Sequence, residues 1–174
     1  MKRKNIKLIF LDIDGVLNCD TTLERCGPYI GVEQEKVKLL KELVKQTGAF
    51  IVLISTWKYY WYRNPKLKPK QDDLANYLDE SFRKQGLRIS AKTKDIGDPF
   101  DRSLGIKELR LRLSLKNNIS TRRYIILDDH EFDYKEAGMA DKLIKTNEET
   151  GLQIEHIKKA IELLNNKQGG TKKC

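Results

Sequence analysis

Short apolar runs and helical stripes alternate along this chain. Ile6 to Leu11 (IKLIFL) is short, mainly apolar and stopped by polar residues, which predicts a buried strand. Val32 to Gln46 carries apolar residues at 32, 37, 39, 40, 43 and 44, a helical stripe that Gly48 closes. Ala49 to Ile54 (AFIVLI) predicts a second buried strand. Residues 64–70 (NPKLKPK) predict a loop by their prolines. Asp72 to Lys84 predicts a helix, with Leu74, Tyr77, Leu78 and Phe82 on one side and Gly86 as its end, and Leu87 to Ser90 a short third strand. Arg102 to Lys116 carries two signals. LRLRLSL alternates with period two, while Ile106, Leu109 and Leu113 form a helical face. A helix is expected there, because a strand pairing parallel to its neighbours needs a crossover connection. Tyr124 to Leu127 predicts a strand stopped by Asp128 and Asp129, Lys142 to Lys145 a weaker one, and Glu155 to Leu164 a last helix before a polar tail.

Apolar strands alternating with helices imply an α/β fold, a Rossmann-like parallel sheet with helices on both faces. At 174 residues the chain suits one domain, expected over residues 1–166, with 167–174 as the polar tail. No run approaches the roughly 20 apolar residues of a membrane helix, and the basic start lacks the longer apolar core of a secretion signal. Cys19, Cys26 and Cys174 form neither a CxxC pair nor a zinc set with the two histidines. A reducing, cytoplasmic setting is expected.

Charge adds a candidate partner. The net charge is +9, and from Trp57 to Lys94 ten Lys or Arg face four acids, so six of the nine net charges sit in that segment. Clustered cations attract phosphate backbones, although charge also serves solubility. The same segment holds WKYYWYR at 57–63, which suits core packing and loop cover or a base-stacking platform with basic flanks.

The chemistry lies at the predicted strand ends. In parallel sheets, ligands bind outside the carboxyl ends of the strands. Three strands end there in polar residues: Asp12 and Asp14, Ser55 and Thr56, Asp128 and Asp129. Aspartates from two strand ends would repel in a partly buried site. A divalent cation with oxygen ligands removes the difficulty, and Mg²⁺ also keeps waters and a substrate phosphate. Asp12, Asp129 and a backbone carbonyl at Asp14 are candidate ligands. A carboxylate can attack phosphorus, and a second one nearby can protonate the leaving oxygen and later activate water. Ser55 also suits a helix N-cap.

DIDGVLN, then VLIST, then a basic residue, then IILDD, in that order, resembles the haloacid dehalogenase superfamily of phosphohydrolases. The resemblance implies Asp12 as nucleophile and Asp14 as general acid/base, with Asp12 and Asp14 in the metal site. It implies that Ser55, or Thr56 in its place, hydrogen-bonds the transferring phosphoryl group. Arg102, with Lys107 as second choice, would neutralise phosphate charge. Asp129 would bind Mg²⁺ directly, supported by Asp128 and Asp133. STWK after the second strand and LIKTNEETGL near the end are similar to the small domains of this superfamily found in some RNA-repair multidomain proteins. Lys58 stands where those commonly carry arginine, and the tryptophan they tend to have in the helix after the basic residue is absent.

The intervals between motifs leave little room for a cap domain, so an open site and a large substrate are expected. The expected function is Mg²⁺-dependent hydrolysis of phosphate monoesters through an aspartyl-phosphate, on a phosphorylated substrate that includes nucleic-acid ends. The alternatives are phosphotransfer to an acceptor other than water and a non-catalytic nucleic-acid-binding module. Trp57, Lys58 and Asp133 are the candidate substrate contacts. His130 is read as a polar neighbour of the aspartates. GLRISAKT at 86–93 has Ala91 where a phosphate loop needs glycine, and its apolar residues follow Gly86 instead of preceding it, so it is discounted.

Overall fold

The computed structural model describes residues 3–63, 73–98 and 101–166. The loop expected at 64–70, Asp72 and the tail at 167–174 lie outside them. The first elements are β1 (Lys4–Leu11), two short strands β2 (Arg25–Cys26) and β3 (Tyr29–Ile30), α1 (Gln34–Thr47) and β4 (Phe50–Leu53). Then come α2 (Asp73–Arg83), β5 (Ile89–Lys92), α3 (Arg102–Asn117), β6 (Ile119–Asp128), β7 (Leu143–Lys145) and α4 (Ile154–Asn165). Five strands make one sheet in the order β5-β4-β1-β6-β7, and each pairing in it is parallel. This is the α/β, Rossmann-like arrangement that the alternation predicts.

Strand alternation sorts the core into two layers. Ile9, Leu11, Ile51, Leu53 and Leu127 point to the side where Leu40, Leu43, Leu78, Phe82, Ile157 and Leu164 of α1, α2 and α4 pack. Leu8, Phe10, Val52, Ile54 and Ile126 point to the other side, against Ile106 and Leu109 of α3. The segment with two signals, Arg102 to Lys116, is therefore a helix, running over Arg102–Asn117. It crosses from the edge strand β5 to β6 on the far side of β1, a span that a strand pattern could not cover while keeping the sheet parallel.

Three expectations are corrected. Before the helix expected at Val32 to Gln46 no strand was read from the sequence, but a short hairpin of β2 and β3 precedes α1. The third strand is Ile89–Lys92, two residues beyond the expected Leu87–Ser90. Leu87 is used in closing α2, its N–H donating to the Phe82 carbonyl at 3.0 Å, with Gly86 at φ 74° making the reversal. The fourth strand runs from Ile119, five residues before the expected Tyr124. Its first half is polar because it pairs with Lys4 and Asn5 at the solvated end of β1. The discounted phosphate-loop segment contains β5 itself, so it offers no loop to cradle a phosphate.

Candidate active site

Leu11 pairs with Leu53 on one side and Leu127 on the other. One residue further, Asp12, Ile54 and Asp128 stand side by side at the carboxyl edge. Alternation makes Asp12 continue the face of Leu8 and Phe10, and Asp128 the face of Ile126. That is the face that α3 covers, and Arg102 is the first residue of α3. Its Nη1 donates to Oδ2 of Asp12 and to Oδ2 of Asp128, each at 2.7 Å. One carboxylate oxygen from each of Asp12, Asp128 and Asp129 lies within 4.8 Å of the other two. The three strand-end acids and the first choice among the basic residues thus meet in space. Lys107 is exposed and sits about 140° round α3 from Arg102, at 100° per residue.

Supports for this cluster come from the segment after β6. Phe132, with φ of 37°, lays its ring 4.0 Å from the Arg102 guanidinium carbon. Tyr134, fully buried, donates its hydroxyl to Oδ2 of Asp128 at 2.7 Å, and the His130 N–H donates to Oδ1 at 3.0 Å. Asp133 turns to α3: one oxygen accepts from the Ser103 N–H at 3.1 Å and the other from the Ser103 hydroxyl. It caps the helix that begins with Arg102, so both of its oxygens are engaged at Ser103. The cap lies 30 residues away in sequence, so no local capping pattern announces it.

The electrostatics follow from burial. Asp128 is pushed up to about 7 by desolvation and then by the Asp12 charge, against the pull of Arg102. Burial, followed by the Asp12 charge, also raises Asp129. Arg102 stays charged, because Asp12 and Asp128 outweigh its own desolvation. Tyr134 is held protonated by burial and by Asp128, so it serves as a donor. Three clustered carboxylates against one guanidinium leave negative charge that burial makes unfavourable. An all-oxygen set of this kind suits a hard divalent cation. The backbone makes room for it: Gly15 has φ of 65°, and a Cβ there would lie 2.3 Å from Oδ2 of Asp129.

Asp14 is exposed and belongs to a neighbouring part of the site. Its Oδ1 accepts from the Asn18 amide at 2.9 Å and its Oδ2 from the Trp57 indole N–H at 2.9 Å. Asn18 also accepts the Gly15 N–H at 3.0 Å, and Thr146 donates its hydroxyl to the Gly15 carbonyl at 2.7 Å. A cavity of about 300 Å³ opens beside these groups, lined in part by Asp14, Asp20, Asp129, Glu148, His130 and Tyr29 of the hairpin. His130 Nε2 lies 3.6 Å from Oδ2 of Asp129. Asn18, Phe132, Tyr134 and Thr146 had no role in the sequence reading. Asn18 follows Asp14 by four residues in the first motif and Thr146 lies within LIKTNEETGL, both usable signals; Phe132 and Tyr134 follow the second aspartate pair with none.

Ser55 is buried, and its Oγ accepts the Trp57 N–H at 3.3 Å, capping a short 3-10 turn from Thr56 to Tyr59. Thr56 is exposed. Lys58 is buried and its ammonium pairs with Asp95, so it is committed inside the protein. Trp57 and Trp61 are each only 5% exposed, which fits the core-packing alternative for these two; Tyr59 and Tyr60 are the exposed aromatic members of the cluster. The basic segment is also reassigned in part. Lys66, Lys68 and Lys70 lie outside the described residues, and Lys92 donates to the Lys58 and Trp61 carbonyls at 2.6 and 2.8 Å. Arg63, Arg83 and Arg88 line a separate cavity of about 670 Å³ with Trp61 and Tyr62. The described lining of the cavity at Asp14 carries no Lys or Arg.

Among the described residues no helix is long and apolar enough to cross a membrane. No curated protein matches the chain. Residues 8–157 match the model of a family described as the HAD domain in Swiss Army Knife RNA repair proteins, which places both aspartate motifs within the match and spans most of the sequence. The chain therefore belongs to that family of haloacid dehalogenase domains.

Proposed function

We propose that the domain is a Mg²⁺-dependent phosphatase that hydrolyses phosphate monoesters through an aspartyl-phosphate on Asp12. The observation that carries this reading is the meeting of Asp12 with Arg102, Asp128 and Asp129 while Asp14 is held two residues further on. One Asp12 oxygen is occupied by the Ile13 N–H at 2.8 Å and the other by Arg102, which limits rotation of the carboxylate. Attack by Asp12 forms an O–P bond and breaks the bond to the leaving oxygen, which takes a proton from Asp14. Water then attacks the acyl phosphate, giving a proton to Asp14 and releasing phosphate and the free Asp12 carboxylate. Arg102 and the Ser55 hydroxyl are the groups available to the phosphoryl oxygens. Asp12, Asp129 and Asp128 would hold Mg²⁺, which supplies charge neutralisation for phosphate and carboxylates together.

The proposed substrate is a nucleic-acid end bearing a terminal phosphate. The family description and the Arg63, Arg83 and Arg88 cavity support it, since guanidinium groups suit phosphate recognition. The test is kcat/KM for a 3′- or 5′-phosphorylated oligonucleotide and for a small aryl phosphate, with Mg²⁺ or a chelator, in wild type and Asp12→Asn. Turnover should need both Mg²⁺ and Asp12. An Asp12→Asn protein that keeps most of the wild-type rate overturns the covalent route. A preference for the aryl phosphate at every salt concentration overturns the substrate.

A further inference from the structure

Resting on the phosphatase reading, we propose that Trp57 is a positioning residue for Asp14, its indole N–H fixing the rotamer in which that carboxyl group gives up and takes back the proton. Asp14 is exposed, and an exposed aspartate samples several rotamers. Both groups that restrain it are buried: Trp57 is 5% exposed and Asn18 is 3% exposed. They act on different oxygens. Trp57 Nε1 donates to Oδ2 and Asn18 Nδ2 to Oδ1, each at 2.9 Å.

The choice of donors decides what Asp14 can do. An indole N–H donates only and cannot accept the proton that Asp14 must move. Asn18 has its amide orientation set by the Gly15 N–H on its Oδ1, so its NH₂ is the end that faces Asp14. Each Asp14 oxygen keeps a second lone pair clear of its donor, where a transferred proton can be accepted. The carboxyl group borders the 300 Å³ cavity that Trp57, Asn18 and Asp129 also line.

Trp57 can hold a neighbour because it is itself held. Its ring packs 6.5 Å from the ring of Tyr77 at an interplanar angle of 42°. Its backbone N–H donates to Ser55 Oγ at 3.3 Å, and its carbonyl accepts the Tyr60 N–H at 3.1 Å. The turn that carries it is fastened to the end of β5, where Lys92 caps the Lys58 and Trp61 carbonyls and Lys58 pairs with Asp95. A continuous set of contacts thus runs from Lys92 through the turn to Asp14. Trp57 offers its N–H edge to the site and buries its ring, whereas a base-stacking residue would expose its ring.

The test uses Trp57→Phe, which keeps an aromatic ring and removes the donor edge together with part of the buried ring; the comparison of two substrates separates the donor from the lost packing. An alkyl phosphate needs a protonated leaving oxygen, whereas a nitrophenyl phosphate leaves as a stable phenolate and does not. General acid catalysis is worth roughly 10²- to 10⁴-fold, so Trp57→Phe should lower kcat/KM for the alkyl substrate at least tenfold more than for the nitrophenyl one. Equal losses on both overturn the proposal and leave Trp57 as packing. A second readout is independent of turnover: the indole N–H resonance of Trp57 in wild type should carry the downfield position of a hydrogen-bonded donor, and Asp14→Asn, which replaces the carboxyl acceptor by an amide, should move it. A resonance insensitive to Asp14→Asn overturns the proposal as well. Wild-type protein that hydrolyses neither these esters nor a 3′- or 5′-phosphorylated oligonucleotide overturns the phosphatase reading instead.

Discussion

Nη1 of Arg102 lies 2.7 Å from Oδ2 of Asp12, although 90 residues separate them. The same nitrogen reaches Asp128, so one cation sits between two buried carboxylates. Removing it leaves both unpaired. Breaking a buried pair costs about 3–5 kcal/mol, which in a domain of this size lowers the unfolding midpoint by roughly 10 °C. Arg102→Ala should show that loss in metal-free buffer and recover part of it in millimolar Mg²⁺. Thermal unfolding followed by circular dichroism reads both. A shift of only a degree or two would mean that the pair is solvated.

The metal-free protein should become more stable as pH falls from about 7 towards 4. Asp128 titrates near 7 when folded and near its ordinary value of 3.8 when unfolded. Between these values the folded state binds the extra proton, so stability falls as pH rises through the window. Asp129, also raised, adds to the same sign. Denaturant midpoints across this range measure the slope. Asp128→Asn should flatten it.

Gly15→Ala should weaken Mg²⁺ binding. The added Cβ would lie 2.3 Å from Oδ2 of Asp129, and the positive φ costs roughly 1–2 kcal/mol for any residue with a side chain. Calorimetric titration of Mg²⁺ should show an affinity loss of about tenfold or more, comparable to that of disturbing an outer-shell partner in a metal site. Unchanged affinity would place the metal away from Asp129.

Asp133→Ala and Asp129→Ala should separate cleanly. Asp133 caps α3 through Ser103, so its loss should cost about 0.5–2 kcal/mol of stability and leave Mg²⁺ affinity nearly as it was. Asp129→Ala should do the reverse, weakening Mg²⁺ binding while stability without metal holds or rises, since it removes one of three repelling carboxylates. Unfolding curves and Mg²⁺ titrations on the two variants check this. A large loss of Mg²⁺ affinity in Asp133→Ala would assign that residue to the metal after all.

The sequence by itself determined the sheet and its reactive edge. IKLIFL, AFIVLI and YIIL are short and mainly apolar, the length and composition of buried strands, and each is followed at once by polar residues. Once they pair in parallel, Asp12, Ser55 and Asp128 must come to one edge, because parallel strands all end on the same side. The helix at 102–117 was legible only through that topology, since its own pattern served strand and helix alike.

Tertiary structure decided which side chains face the site and which support it. The aromatic cluster looks uniform in sequence, yet Trp57 and Trp61 are buried while Tyr59 and Tyr60 stay exposed. The difference is made by α2, whose Tyr77 meets Trp57 and whose Asp79 accepts the Trp61 N–H at 3.1 Å. Asp133 seemed one more acid near a metal motif until α3 arrived with an uncapped Ser103 N–H. Lys92 is a surface charge by composition and a clamp on two carbonyls in the fold. Local patterns fix strands because burial acts along the chain. The partners of single polar side chains are fixed only when distant elements meet and every buried donor must find an acceptor.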